Sequence, residues 1–283
     1  MIVVKFGGTS VGDADAICRA ADVVASRLHR APVVVVSAAS GTTTELLGIA
    51  EQAARGQLIG ALRSVEHIRE RHVAMCDVLL RDVPGGPDTA AEIAAMCDEV
   101  ASLAEALTTL GHITPRSLDA VASFGEQMSA LLVTEAFRAR GIPAQHLDAR
   151  EVIVTSDHFN QAEPSLDAIS DRARDRVAPM VRSGIVPVLG GYIGATAAGV
   201  TTTLGRGGSD YTASLLGAAL GADDIEIWTD VDGMLTADPR VVSDAKLISQ
   251  IRFDEASELA SFGAKVLHPN TIAPAVRRGI PVY

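Results

Sequence analysis

The sequence predicts an α/β protein built as a three-layer sandwich, in which helices cover both faces of a central, mostly parallel sheet. Short β-branched runs, typical of buried strands, alternate with segments of helical periodicity along much of the chain. Several of these runs lead directly into loops of glycine, serine and threonine. With 283 residues, of which 48% are hydrophobic, the chain is long enough to bury a sizeable core.

The first part of the chain begins with a predicted strand over Ile2–Phe6, a helix near Ala14–Leu28 and a strand over Pro32–Ser37. A long helical stretch follows over residues 45–111, and the run Pro84-Gly85-Gly86-Pro87 divides it. Apolar residues recur at three- and four-residue spacing on both sides of this break. We therefore expect two helices that form an antiparallel hairpin on the α/β core.

The second part continues the alternation of strands and helices. Helices are predicted over Ala120–Arg140, near Leu166–Ser183 and over Tyr211–Gly221. Strands are predicted near Ala144–Leu147 and over Ile185–Leu189, Val200–Leu204 and Ile225–Trp228, with Val200–Leu204 a possible hairpin arm.

Composition limits the kind of partner. The net charge of −11 and an aromatic content of 4% disfavour nucleic-acid binding, which uses a basic face and stacking side chains. No apolar run is long enough to span a bilayer, the amino terminus enters a strand rather than a signal peptide, and the three cysteines are scattered without metal spacing. We expect a cytoplasmic protein with a small-molecule substrate and neither a membrane nor a nucleic-acid partner.

Four small, polar loops follow predicted strands, at residues 7–10, 37–44, 190–194 and 229–233. Open parallel sheets bind ligands at the carboxyl ends of their strands, so these loops predict one shared crevice. In the first loop, the N–H groups of Gly7 and Gly8 suit phosphate oxygens, and Lys5 supplies a cation beside them. The lysine precedes the glycines, which excludes a Walker A loop. An ordinary tight turn is the alternative interpretation.

Two further motifs indicate an amino-acid ligand. Arg206 lies among glycines in the run Gly205–Asp210, and its planar guanidinium matches a carboxylate. Ser209 and Asp210 in the same run would also serve as helix caps. Glu126 stands near the amino end of an apolar helix, where a favourable interaction with the helix dipole is the alternative role. Together, Arg206 and Glu126 would bind both charged groups of an amino acid.

The motifs occur in the order found in one protein family. They cover Lys5–Gly12, Val36–Thr43, Ser123–Glu126, Gly205–Asp210, Thr229–Gly233 and Phe262–Pro269. In this order they resemble the aspartate kinases of the amino acid kinase family. The resemblance implies the amino acid kinase fold with two lobes, of which about 1–204 bind the amino acid and about 205–283 bind the nucleotide. It also implies a homodimer and ATP-dependent phosphorylation of the L-aspartate β-carboxylate, the first step toward lysine, threonine and methionine.

The resemblance also implies a role for individual residues. Lys5 would contact the transferring phosphoryl group, and Asp210 would hold Lys5 in place. The substrate would be bound by Thr43, Glu126, Arg206 and Ser209. ATP would be bound by Gly7, Gly8, Ser10, Ser37, Thr229, Asp230, Arg240 and Lys265, although surface cations are the alternative role for Arg240 and Lys265. Mg²⁺ would arrive with ATP and take few protein ligands, because it usually keeps several waters.

The sequence departs from the family pattern at three points. Leu235 stands where a tyrosine is frequent in the nucleotide lobe, and Thr44 stands where Asn or Asp is common. The sequence ends at Gly279–Tyr283 without the two ACT domains that commonly follow, so we expect a stand-alone or excised catalytic domain or a specialised relative, without feedback inhibition through this chain. Two alternatives stay open: a kinase of the same fold for another acid, such as N-acetylglutamate, and a weakly catalytic nucleotide- or amino-acid-binding module.

Overall fold

A computed structural model describes residues 1–231, 233–237, 242, 244–261 and 269–283. The strands in these residues are β1 (Ile2–Phe6), β2 (Pro32–Val36), β3 (Ala144–His146), β4 (Val154–Thr155), β5 (Val186–Gly190), β6 (Ile193–Thr196), β7 (Thr201–Thr203) and β8 (Asp224–Trp228). Five of them form one parallel sheet in the order β3-β5-β2-β1-β8. The predicted central parallel sheet is confirmed.

Helices surround this sheet. In the described residues they are α1 (Ala14–Arg27), α2 (Thr42–Ala54), α3 (Leu58–Leu79), α4 (Gly86–Leu110), α5 (Pro115–Ala122), α6 (Phe124–Ala139), α7 (Leu166–Arg172), α8 (Ala178–Arg182), α9 (Gly208–Leu220), α10 (Phe253–Ser261) and α11 (Pro269–Arg277). None of them combines the length and the apolar character that crossing a membrane requires, as far as the described residues go.

Neighbouring residues of each central strand face two different apolar cores, as the pleat of a strand requires. Val4 and Val34 pack with buried residues of α1, α2, α3, α4 and α6 on one face of the sheet. Val3 and Val33 pack with buried residues of α7, α9 and α11 on the other face. Helices on both faces of one sheet form the three layers that the sequence predicts.

The helical stretch predicted over residues 45–111 contains three helices rather than two. Gly56, at φ +76°, allows the chain to turn between α2 and α3. The predicted break at Pro84–Pro87 is present, and α4 begins at Gly86. α3 and α4 pack against each other as the expected helical pair.

The prediction of a single helix over Ala120–Arg140 is also wrong in detail, because the helical segment starts earlier and is divided. It begins at Pro115, after the cap Thr114, and a turn at Ser123 divides it into α5 and α6. At this turn the Ser123 hydroxyl donates a hydrogen bond of 2.8 Å to the Ala120 carbonyl. The stretch near Leu166–Ser183 is helical, but it contains a π-helical turn at residues 173–177, just before Pro179, which has no N–H to donate.

A second, small sheet contains β4, β6 and β7 in this order. β7 pairs antiparallel with β6, which confirms that Val200–Leu204 carries a hairpin arm. Ile193 and Gly194, predicted as part of a loop, belong to β6 instead. A side chain at Gly194 would come within 2.6 Å of the Ile153 carbonyl oxygen, so the close packing of this sheet requires the glycine that made the segment resemble a loop.

Candidate active site

The loops at the carboxyl edge of the main sheet surround two neighbouring cavities. The first, of about 400 Å³, is lined by the loops that follow β1, β2 and β8. The second, of about 590 Å³, is lined by the loop after β2, by α5 and α6, and by the segment 205–210. Both cavities share Lys5, Ser37, Ala38 and Thr43, so they adjoin at these residues. The shared crevice expected from the four loops is thus a pair of adjoining cavities.

Lys5 and Asp210 form an ion pair at the junction of the two cavities. Lys5 lies on β1 and is 7% exposed, because the strand is buried on both faces. Its Nζ is 2.7 Å from Oδ1 of Asp210, which lies in the first turn of α9. The pair fixes a cation where both cavities can use it.

The first cavity has the character of a phosphate site. Backbone hydrogen bonds join its loops: the Gly7 N–H donates to the Trp228 carbonyl at 2.9 Å and the Ser40 N–H to the Gly8 carbonyl at 3.1 Å. Its lining is rich in glycine, serine and threonine, with Lys5 as the cation. Glycine-rich turns and helix starts of this kind bind phosphate oxygens through their N–H groups.

Of the residues predicted to bind the nucleotide, some line this cavity and others do not. Lining residues include Gly7, Gly8, Ser37, Thr229 and Asp230, and the Thr229 hydroxyl donates to the Asp230 carboxylate at 3.1 Å. Ser10 is not among the lining residues, and its hydroxyl donates to the Trp228 carbonyl at 3.3 Å. Arg240 and Lys265 lie outside the described residues. Leu235 forms a backbone bridge with Leu247 and does not line either cavity.

Gly8 and Gly7 are expected to respond differently to a methyl group. A Cβ at Gly8 would be 2.8 Å from the Ala38 carbonyl oxygen, which belongs to a backbone that cannot easily move, whereas a Cβ at Gly7 has its nearest neighbour at 3.5 Å. Gly7 also has φ −70°, which any residue adopts. We expect Gly8→Ala to lower the free energy of unfolding by about 1–3 kcal/mol and Gly7→Ala to change it by less than about 0.5 kcal/mol. Chemical denaturation of the ligand-free variants tests this, and equal losses would contradict it.

Glu126 is a buried carboxylate with one unused oxygen. It lies in the first turn of α6, is 3% exposed and lines the second cavity. Its Oε1 accepts a hydrogen bond of 3.2 Å from the Ala38 N–H, while Oε2 has no partner in the described part of the chain. Burial raises the pKa of Glu126 to about 8. A cation that enters the cavity would satisfy this oxygen.

Arg206 brings positive charge to the same cavity. It is exposed, lines the cavity, and forms no hydrogen bond or ion pair with any residue that the structure describes. The turn before α9 depends on Gly207 at φ +70°. Ser209 is 9% exposed and packs so closely against Gly191 that a Cβ there would lie 2.6 Å from the Ser209 Cβ. One cavity therefore presents a carboxylate and a guanidinium, the pair that an amino acid zwitterion requires.

Asp119 is a site residue that the sequence did not reveal. It is 1% exposed and lines the second cavity. Its carboxylate accepts hydrogen bonds from the N–H groups of Asn160 (2.9 Å) and Thr203 (3.0 Å) and from the Thr203 hydroxyl (2.7 Å). Burial raises its pKa. Asp119 thereby fixes the strand end that leads into the Arg206 segment, but its partners lie 41 and 84 residues away, so no local pattern indicates it.

Comparison with known proteins places this geometry in a family. The model of the amino acid kinase family matches residues 1–283. Lysine-sensitive aspartokinase 3 of Escherichia coli is 44% identical over 286 residues, which span 100% of this chain and 61% of that protein. An aspartokinase of Chlamydia muridarum is 35% identical over 282 residues, which span 100% of this chain and 60% of that protein.

Solved structures agree with the sequence comparison. A crystal structure of E. coli aspartokinase III in complex with aspartate and ADP superposes with a TM-score of 0.90 at 44% identity, over 100% of this chain and 61% of that chain. Aspartate kinase from Clostridium acetobutylicum superposes with a TM-score of 0.77 at 26% identity, over 100% of this chain and 58% of that chain.

The chain spans about three fifths of the length of the relatives that it matches. Within this span, the match of the family model extends from the first residue to the last. The parallel sheet and the paired cavities at its carboxyl edge lie in the same residues. This chain belongs to the amino acid kinase family.

Proposed function

We propose that this chain catalyses the ATP-dependent phosphorylation of the L-aspartate β-carboxylate to give 4-phospho-L-aspartate. The observation that carries the proposal is the unpartnered, buried oxygen of Glu126 in a cavity that also contains Arg206 and adjoins a phosphate site at Lys5. Two crystal structures of E. coli aspartokinase III are complexes with aspartate, one of them together with ADP, and they support the same pair of ligands here.

Aspartate has three charged groups, and the second cavity offers a partner for each. Its ammonium group would pair with Glu126, and its α-carboxylate would pair with the Arg206 guanidinium. These two contacts would direct the β-carboxylate toward Lys5 and the junction with the first cavity. Thr43 and Ser209, which line the second cavity, would supply hydroxyl hydrogen bonds.

The chemistry then requires positioning and charge neutralisation. A β-carboxylate with a pKa of about 4 is ionised at neutral pH, so no general base is needed. A carboxylate oxygen forms a bond to the γ-phosphorus of ATP while the bond from that phosphorus to the ADP oxygen breaks, with the two oxygens in line. The Gly7 N–H, expected to face phosphate, is bound to the Trp228 carbonyl instead. Lys5 and the N–H groups of Gly8 and Thr9 would therefore stabilise the charge on the phosphoryl oxygens.

Magnesium fits this arrangement as a companion of the nucleotide. No group of three or more His, Cys, Asp or Glu side chains in the described residues is arranged to hold a metal ion. Asp230 is the described carboxylate that lines the first cavity, and Mg²⁺ prefers phosphate oxygens and water with one or two carboxylates. Asp230 would therefore hold Mg²⁺ there, and the ion would neutralise phosphate charge.

The proposal includes several finer assignments that follow from the family resemblance. Residues of about 1–204 form the amino-acid-binding lobe and about 205–283 the nucleotide-binding lobe. The protein works as a homodimer in the cytoplasm, and its product serves lysine, threonine and methionine biosynthesis. Each of these assignments remains a prediction.

The test is the trapping of the acyl phosphate with hydroxylamine in the presence of ATP and Mg²⁺. We expect hydroxamate from L-aspartate and at least about a hundredfold less from N-acetyl-L-aspartate, because an acetylated amine leaves Glu126 buried without a cation. Product from the N-acetylated acid alone would favour the kinase for another acid. A folded chain that binds ADP and aspartate but gives no product would refute the proposed catalysis.

A further inference from the structure

The loop of residues 37–44 links the two cavities, and it is held from three directions. The Ala38 N–H donates to Glu126, and the Ser40 N–H donates to the Gly8 carbonyl. The third contact comes from outside the predicted site, from Arg71 on α3. Its side chain is 26% exposed and its guanidinium faces the start of α2.

Arg71 binds acceptors on both sides of Gly41. Nη1 donates to the Ser40 carbonyl at 3.1 Å, and Nη2 donates to the hydroxyl of Thr42, which is fully buried. Gly41 has φ +83°, and the Arg71 Nη1 lies 3.7 Å from the position where a Cβ would stand. The guanidinium therefore spans the turn at Gly41. A Glu45 carboxylate oxygen lies 3.9 Å from Nη1 and keeps a counter-charge beside it.

This mode of attachment leaves two backbone N–H groups in the first turn of α2 free. A side-chain cap normally fixes the start of a helix by accepting hydrogen bonds from its first N–H groups. α2 has no such cap. Arg71 uses a carbonyl and a hydroxyl as its acceptors, so it occupies no N–H group of α2. The Thr42 N–H donates to the Ala39 carbonyl at 3.0 Å, whereas the N–H groups of Thr43 and Thr44 have no partner among the described residues and stay available to a ligand. Thr43 and Thr44 in this first turn line the first cavity.

We propose that Arg71 is a positioning residue that fixes the start of α2 so that its free N–H groups bind the nucleotide phosphates. The expected effect of Arg71 on the reaction rate rests on the proposed function. Its effects on nucleotide binding and on the order of the loop can be measured without turnover. Arg71 does not itself line either cavity, so it acts through the residues that it binds, Ser40 and Thr42.

Arg69 provides a matched control two residues earlier on α3. Its side chain is 22% exposed, and it binds Glu66, Asp98 and the Ala94 carbonyl, on the side of α3 that faces α4. Both substitutions, Arg71→Met and Arg69→Met, remove one half-buried guanidinium from the same helix. Only the first removes contacts to the loop.

Two measurements test the proposal: isothermal titration calorimetry with ADP, and amide hydrogen exchange of the ligand-free proteins. We expect Arg71→Met to raise the Kd for ADP at least tenfold and to speed amide exchange in residues 40–45 at least tenfold, with Arg69→Met within twofold of the wild type in both. If the wild type turns over aspartate, Arg71→Met should raise the KM for ATP and lower kcat, while the KM for aspartate changes less than threefold.

Equal behaviour of Arg71→Met and the wild type in ADP binding and loop exchange would overturn the proposal. So would equal losses in the Arg69 and Arg71 variants, since these would reflect general weakening of α3. A wild type that binds ADP without turnover would contradict the proposed catalysis. The role of Arg71 would still be decided by comparing ADP binding and loop exchange in the two variants.

Discussion

Replacing Lys5 by alanine is expected to lower the rate of phosphoryl transfer about a thousandfold or more. Lys5 is the cation that both cavities share. The proposed reaction uses no general base and no covalent intermediate, so no such step lowers the barrier in its place. Loss of its charge therefore acts almost wholly on the transition state, where the phosphoryl oxygens need neutralisation. In steady-state assays, kcat should fall far more than the KM for either substrate rises.

The same substitution has a structural cost that must be separated from the catalytic one. Lys5→Ala leaves Asp210 without its partner in a mostly buried setting, which is expected to lower the free energy of unfolding by about 3 kcal/mol. The double variant Lys5→Met, Asp210→Asn removes both charges and should regain stability without regaining turnover. Lys246→Ala, at an exposed lysine that lines neither cavity, is the control. Activity that returns in the double variant would contradict the role of Lys5.

The central strands were predictable because their signal is local. Ile2–Phe6 is a run of apolar and β-branched residues around one lysine, buried on both faces as parallel strands are, and its bounds in the structure are those predicted. The division at Ser123 was not predicted, and the hydroxyl bond of Ser123 does not by itself explain it, because Thr134 makes the same kind of bond within the unbroken α6. β6 was missed because Gly194 weakens the strand signal, yet the packing against Ile153 requires it.

The candidate site likewise has a part that the sequence predicts and a part that it does not. Gly-rich loops after strands predicted where the two cavities lie, since the carboxyl ends of parallel strands meet at the same edge of the sheet. The contacts that hold these loops could not be predicted. Asp119 binds Asn160 and Thr203, and Arg71 binds Ser40, across separations that no periodicity records. The burial of Glu126 likewise follows from tertiary packing alone, although its charge and its place in the helix were visible.

Replacing Glu126 by glutamine is expected to stabilise the ligand-free protein at pH 8. Burial raises the pKa of Glu126 from 4.5 to about 8, so between these values the folded state holds a proton that the unfolded state has lost. Stability therefore decreases as the pH rises from 4.5 toward 8, by up to about 1.4 kcal/mol per pH unit from this group. Glutamine stays neutral and keeps an oxygen for the Ala38 N–H, but its amide N–H groups lack partners, so we expect a net gain of about 1–2 kcal/mol at pH 8.

The same variant should lose aspartate binding, which separates a functional carboxylate from a structural one. The ammonium group of aspartate needs the ionised form of Glu126, so the Kd for aspartate should rise about tenfold as the pH falls from 8 to 6.5, and binding in that range should release a proton. Glu126→Gln should raise the Kd at least about a hundredfold and abolish this pH dependence. Glu135→Gln, on the same helix, is the control, because Glu135 pairs only with Arg138 among the described residues. Calorimetry in buffers of different ionisation enthalpy measures the released proton. A glutamine variant that is less stable than the wild type and binds aspartate equally well would show that Glu126 serves the fold and not the ligand.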